Sequence, residues 1–367
     1  MTLLLTVIVV ALVFEFINGF HDTANSIATV VSTKVLTPRQ AIMLAAGTNL
    51  LGALWGTAVA KTISSGLVDA KVVSLTSEVI ICALLGAIIW NLITWWAGLP
   101  SSSSHALIGG LCGSALAASG NNWGVIIWAQ PSQQHWWLGK GLLWKVIVPM
   151  VTSPLAGLIL GFCVMALLYL ALRNSRPARV NRFFGTAQMF SAGAMGVMHG
   201  TNDAQKTMGI IALTLLASTQ AGQLEGLPSW LAFLHTPAPA PGKDMEIAVW
   251  IKIVCALTMA SGTAVGGWRI IKTLGHKMVK LHPINGFAAE ASSATVILAA
   301  SQLGIPVSTT HNISAAIMGV GAARRLNAIK WTVVERMVWA WILTIPVTAG
   351  LAYVLVRGLI AMGARMH

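Results

Sequence analysis

This sequence predicts an all-α polytopic membrane protein, built as an inverted-topology repeat with two broken helices and two re-entrant helical hairpins. Three observations lead there. The 367 residues are 56% hydrophobic and only 9% charged, against roughly 25% charged in soluble domains. Long apolar runs alternate with short basic loops, which points to spanning helices, not a barrel. Two polar motifs each occur twice. Asn18-Gly-Phe-His-Asp22 matches His199-Gly-Thr-Asn-Asp203, and Pro100-Ser-Ser-Ser-Ser-His105 matches Pro306-Val-Ser-Thr-Thr-His311.

The net charge of +13 does not indicate nucleic acid. The basic residues stand between spans and form no groove-like run, so they read as loops held on the cytoplasmic side. Cys82, Cys112, Cys163 and Cys255 lie inside apolar segments without metal-ligand spacing and read as packing residues. Thr2 to Phe16 lacks a basic n-region and a cleavage site, and reads as the start of a retained helix.

Repeat 1 is expected over 1–172. A broken span covers 2–31, interrupted at Asn18-Gly19, because Gly is a poor helix former and Asn competes for backbone hydrogen bonds. A span at 40–60, a re-entrant hairpin at 78–118 and a span at 142–172 follow. The segment 173–185, with Arg173, Arg176, Arg179 and Arg182, reads as a basic cytoplasmic loop. Repeat 2 covers 186–367: a broken span at 186–217, a span at 247–268, a re-entrant hairpin at 286–323 and a span at 333–356. The Pro-rich stretch 218–246, with Lys243 and Asp244, lengthens this half. Trp136 and Trp137 suit a membrane interface.

Charge supports the topology. Loops 34–39, 173–182, 269–282 and 324–330 carry the basic residues and fall on one side. Loops 61–77 (Lys61 and Lys71 against Asp69), 119–141 and 218–246 fall on the other with little net positive charge. The positive-inside rule then puts both termini outside the cytoplasm, with Arg357 and Arg365 the unfavourable exceptions.

Ionisable groups within spans are costly and mark ion or substrate paths. Asp22 and Asp203 therefore need a cation or a proton. Thr23 and Asn25, and Asn202 in the second copy, add oxygens suited to a hard cation. Glu290 precedes the second tip and reads as a proton carrier. Glu15 is either part of such a path or merely beside a lined crevice. At each tip, Pro in the first turn and Ser as a cap read as a helix start. Helix N-termini offer free N–H groups and a positive dipole end. Ser102, Ser103 and Ser104, facing Ser308, Thr309 and Thr310, would wrap a small tetrahedral oxyanion with neutral donors that still release it. Lys206 stands where the first half has Asn25, and would replace a cation or touch the anion. His105 and His311 read as interhelical hydrogen-bonders.

At these residues the chain resembles the PiT family of inorganic phosphate transporters. The duplicated signature appears as Gly19-Phe-His-Asp22-Thr-Ala-Asn25 and Gly200-Thr-Asn-Asp203-Ala-Gln-Lys206. The paired tips appear at 100–105 and 306–311, and Asn285-Gly-Phe-Ala-Ala-Glu290 is also similar. The resemblance implies an inverted-repeat fold, homodimers in a bacterial inner membrane, and no cofactor. It implies import of inorganic phosphate with protons or sodium. Asp22, Asn25 and Asp203 would serve the coupling ion, and Ser102, Ser103, Thr309 and Thr310 would hold phosphate. His21 and Gln205-Lys206 depart from the sodium-type pattern. They resemble the bacterial low-affinity branch, where protons drive uptake and the cargo is a phosphate complex with a divalent metal ion. If sodium is the coupling ion instead, Asp22 and Asn25 are its ligands.

Two other readings compete. Sulfate is also tetrahedral, but it lacks the donor that hydrogen phosphate offers an aspartate. An intramembrane serine hydrolase would use one serine with His105 and an acid, whereas this chain has two matched sets.

Overall fold

The computed structural model describes residues 2–65, 67–68, 76–130, 139–225, 228–237 and 246–364. Asp69, Lys71, Trp136, Trp137, Lys243, Asp244 and Arg365, which figure in the loop and interface expectations, lie outside the described residues. The first half supplies α1 (Thr2–Ser32), α2 (Pro38–Ala53), α3 (Ala58–Ser65), α4 (Ser77–Ala97), α5 (Ser103–Ala118) and α6 (Val148–Leu172). The second supplies α7 (Pro177–Gln220), α8 (Val249–Val265), α9 (Trp268–Lys272), α10 (Pro283–Gln302), α11 (Thr309–Arg324) and α12 (Trp331–Ala361). A π turn, Leu143–Ile147, leads into α6, and another, Thr273–Lys277, follows α9.

The expected breaks at the two aspartates do not occur. α1 and α7 run unbroken for 31 and 44 residues. Their glycines serve close contact instead. A Cβ on Gly19 would fall 2.4 Å from the Met259 carbonyl oxygen, and one on Gly200 would fall 2.3 Å from that of Asn49. The facing helices reciprocate. A Cβ on Gly262 would meet the Phe16 carbonyl at 2.1 Å, and one on Gly52 would meet that of Val197 at 2.0 Å. So α1 meets α8, and α7 meets α2, backbone against backbone, the small-residue packing that membrane helices use.

The interruptions fall one element later. α2 ends and α3 resumes around Gly56 at φ 86°; α8 ends and α9 resumes around Gly266 at φ 78°. Glycine takes such positive φ without a Cβ penalty. The second break bends the chain by 59°. The single span expected at 40–60 is thus α2 with the start of α3, whereas the span expected at 247–268 is α8 with the break at its C-terminal end. α9 and its π turn also fill most of the basic loop expected at 269–282. The loop expected at 173–185 shrinks because α7 starts at Pro177, so Arg179 and Arg182 ride on its first turns. At 1.5 Å per residue α7 is about 66 Å long, well beyond a hydrocarbon core of roughly 30 Å.

The halves are intertwined. α5 packs on α12 and α6 on α11. A Cβ on Gly113 would lie 2.1 Å from the Ala349 carbonyl, and one on Gly319 would lie 2.0 Å from that of Leu158. Each hairpin's second arm therefore leans on the other half's last helix. α1 and α7, which carry the twin motifs, run antiparallel: Glu15 meets Thr207 toward one end and Thr33 meets Gln188 toward the other. Outward faces are apolar, with Leu155, Ile159 and Phe162 exposed on α6 and Trp339, Ile342 and Leu343 on α12. Among the described residues, four helices are long and apolar enough to cross a membrane.

The glycine contacts make a prediction. Gly52→Ala and Gly262→Ala are each expected to lose about 1–3 kcal/mol of stability by overpacking. Gly47→Ala, on the same helix as Gly52 but with nothing within 4 Å of its added Cβ, is expected to lose none. Thermal unfolding in detergent checks this, and equal behaviour at 47 and 52 would refute it.

Candidate functional site

Four segments without a single exposed residue converge. They are 17–30 of α1, 199–212 of α7, 103–115 of α5 and 309–321 of α11. The hairpin tips set α5 and α11. α4 ends at Gly98 with φ 64°, and α10 is followed by Gly304 at φ 63°; these left-handed glycines turn the chain back. Each turn is pinned by the other half. Thr273 Oγ1 donates to the Gly98 carbonyl and Thr62 Oγ1 to the Gly304 carbonyl, at 2.8 and 2.7 Å. Pro100 and Pro306 do not sit in the first helical turn as expected but precede it. Ser102 and Ser308 are the N-caps, accepting from the His105 and His311 N–H groups at 3.2 Å. The N–H groups of Ser103, Ser104, Thr309 and Thr310 lie in first turns, where no intrahelical acceptor exists.

The aspartates meet these tips. Ser103 Oγ donates to Asp22 Oδ2 at 3.0 Å, and Thr310 Oγ1 to Asp22 Oδ1 at 3.4 Å. Thr309 Oγ1 donates to Asp203 Oδ2 at 3.0 Å. Asn25 Nδ2 donates to both Thr309 and Thr310, at 3.1 and 2.9 Å. At the matching place on α7, the Lys206 ammonium is bonded to Asp203 and to Ser104 of the opposite tip. Lys206 is only 2% exposed, so it does not snorkel. One α1 acid, one α7 ion pair and both tips thus form one cluster. No residue of it is more than 4% exposed, so this conformation is closed to both surfaces.

Other expected residues lie elsewhere. Thr23 Oγ1 donates to its own helix at Gly19, at 2.6 Å, and faces Thr263 of α8; it serves the helix contact and does not join the cluster. Asn202 reaches Ser301 at 3.1 Å, beneath the second tip. Glu290 accepts from Gln188 Nε2 at 3.0 Å and from Thr29 and Ser191, apart from the aspartates. His105 and His311 are ring partners at 4.9 Å, and His311 stacks on Trp341 at 4.2 Å. Both ring nitrogens of His311 lack hydrogen-bond partners among the described residues, so it is not the hydrogen-bonder expected.

Some members were not anticipated. His21 Nδ1 lies 2.7 Å from Asp22 Oδ1, and His199 Nε2 lies 3.0 Å from Asp203 Oδ2. The four-residue spacing of His199 and Asp203 puts both on one helix face, a signal the sequence does carry. Asp22, His199 and Asp203 each offer a ligand atom, all within 4.8 Å of one another. Gln205 accepts from the Val59 and Ala60 N–H groups at 2.8 and 3.3 Å, capping α3 where its break leaves donors free.

A model described as the phosphate transporter family matches residues 18–352. The chain belongs to this family. A Bacillus subtilis (strain 168) relative named "Probable low-affinity inorganic phosphate transporter" is 43% identical over 351 residues, 95% of each chain. A Rhizobium meliloti (strain 1021) relative of the same name is 43% identical over 348 residues, 95% of this chain and 93% of that one. Among solved structures, one titled "The sodium-dependent phosphate transporter" aligns with a TM-score of 0.79 at 24% identity, covering 99% of this chain and all of that one. That likeness is one of fold. Membership of the phosphate transporter family makes this a membrane transporter and sets aside the serine hydrolase.

Proposed function

We propose that the chain is a symporter that imports inorganic phosphate with protons, binding it between the tips of α5 and α11. The observation that carries the coupling ion is Lys206. It fills the place that Asn25 holds in the other half and pairs with Asp203, so a fixed ammonium stands where a mobile cation would otherwise be needed. The hydroxyls of Ser103, Thr309 and Thr310 now serve carboxylates. Each hydroxyl has one hydrogen, so phosphate must take these donors from Asp22 and Asp203. An aspartate stripped of donors inside a bilayer needs a positive charge or a proton. Phosphate entry and proton uptake are thereby linked. Two helix N-termini and neutral hydroxyls bind the anion without the tight grip of several arginines. Lys206 and Ser104 complete the cradle.

The antiparallel course of α1 and α7 supports an inverted repeat, and the basic loops on one side support both termini lying outside the cytoplasm. In this reading the hairpins α4–α5 and α10–α11 enter from opposite sides. The triad of Asp22, His199 and Asp203 supports a second reading of the cargo, phosphate carried with a divalent metal ion.

The test is uptake of radiolabelled phosphate into proteoliposomes under a pH gradient, with and without sodium, with sulfate as competitor. Proton-driven, sodium-independent uptake is expected. Strict sodium dependence would overturn the coupling, and transport of sulfate in place of phosphate would overturn the substrate. Uptake raised by magnesium or calcium would favour the metal complex.

A further inference from the structure

Glu15 lies outside the tip cluster and is fully buried in α1. It stands two helical turns before Asp22, about 10 Å along the axis. Thr207 Oγ1 donates to its Oε2, while its Oε1 has no hydrogen-bond partner among the described residues. One turn on, Asn18 Oδ1 is also unpartnered among them. The titratable groups facing Glu15 are Asp203 and Lys206 from α7 and Cys255 from α8. No cation is dedicated to it among the described residues, because Lys206 is committed to Asp203 and Ser104.

Charge and the supply of donors separate Glu15 from the other acids. The buried groups of this region include four carboxyls, Glu15, Asp22, Asp203 and Glu290, and one ammonium, Lys206. Glu290 receives three donors, Asp22 has two hydroxyl donors and His21, and Asp203 has Lys206 and Thr309. Glu15 has only neutral donors, the Thr207 hydroxyl and the nearby Asn18 amide, and its Oε1 has no hydrogen-bond partner among the described residues. A buried carboxylate so poorly served is held as an anion only at high cost. Adding phosphate nearby adds further negative charge.

We infer that Glu15 is a proton-binding group of the transport cycle, placed beside the tip site on the side of the α1 N-terminus. It takes one proton from water to become a neutral acid while phosphate is aboard, and returns that proton to water when the site empties. No other bond changes. Thr207 ties this acid to the ion pair, because it directly follows Lys206 on α7. The inference rests on the proton-coupled reading above.

The experiment uses the full chain in proteoliposomes. Wild type, Glu15→Gln and Glu15→Asp are compared in two assays. The first is exchange of labelled external for unlabelled internal phosphate without a gradient; the second is uphill accumulation under a one-unit pH gradient. One coupled proton supports a roughly tenfold accumulation ratio across that gradient. Glu15→Gln keeps the acceptor for Thr207 but holds no exchangeable proton. It is expected to retain exchange and lose that tenfold factor, and Glu15→Asp to recover part of it. Undiminished accumulation by Glu15→Gln would overturn the inference. Loss of exchange together with accumulation would also overturn it, assigning Glu15 to the fold or to substrate binding. If wild type exchanges no phosphate, or exchanges it without accumulating it under the pH gradient, the proton-coupled reading itself fails and the inference falls with it.

Discussion

Lys206→Met is expected to cost about 3–5 kcal/mol of stability, the usual loss when one partner of a buried ion pair is removed, and to abolish phosphate uptake. Methionine keeps most of the stem's volume, so the loss reports charge more than packing. Without the ammonium, Asp203 retains Thr309 at 3.0 Å and the His199 ring, too little to hold an anion in a bilayer. Adding Asp203→Asn is expected to restore most of the stability and none of the transport, since the double variant leaves no lone charge at this pair. Thermal unfolding and uptake across this double-mutant cycle separate the two effects. A double variant no more stable than Lys206→Met alone would sink the ion-pair account. Lys206→Asn tests the tethered-cation idea directly. It recreates in the second half the residue at Asn25 and opens room for a mobile ion. Uptake stimulated by sodium is expected; uptake indifferent to sodium would count against the ammonium as a cation substitute.

The same residues show what a sequence can disclose. Lys206 is readable as a site residue because a lysine inside an apolar run needs a charge partner, and Asp203 stands three positions before it on the same helix face. The tips are readable because Ser-x-x-His and Ser-Thr-Thr-His after a proline announce a helix start, and only the proline's register differs. The helix breaks fall elsewhere for a physical reason. Gly19 and Gly200 lower helix propensity locally, but backbone contact with Met259 and Asn49 decides the outcome, and a single sequence does not reveal which helix will face which. The shell of Glu290 is equally hidden. Thr29 comes from α1 and Gln188 and Ser191 from α7, so no local spacing marks it. Thr62 and Thr273 pin tips of the opposite half, a consequence of intertwining that repeat matching alone does not supply.

Asp22→Asn is expected to lower phosphate uptake by roughly 100-fold, equivalent to about 2.7 kcal/mol. Asp22 accepts on both oxygens, from Ser103 on one and Thr310 on the other, with His21 Nδ1 at 2.7 Å. An amide turns one of these acceptors into a donor, so one hydroxyl from a tip meets an N–H. A buried donor left unmatched costs about 1–3 kcal/mol, and the residue no longer carries a proton. Ser103→Ala and Thr310→Val each remove one donor and leave the carboxylate, so each is expected to fall by only about tenfold, near 1.4 kcal/mol. Initial uptake rates at saturating pH gradient check the ranking; a single hydroxyl variant as impaired as Asp22→Asn would contradict it. The anion preference should move as well. Hydrogen phosphate brings an O–H that a carboxylate accepts, and sulfate at neutral pH brings none. If Asp22 receives that O–H, its replacement narrows the margin by which phosphate outcompetes sulfate, while Thr310→Val leaves the margin wide. A margin unchanged in Asp22→Asn would place the discriminating acceptor elsewhere, and Asp203, the other acid at the tips, would be the residue to replace next.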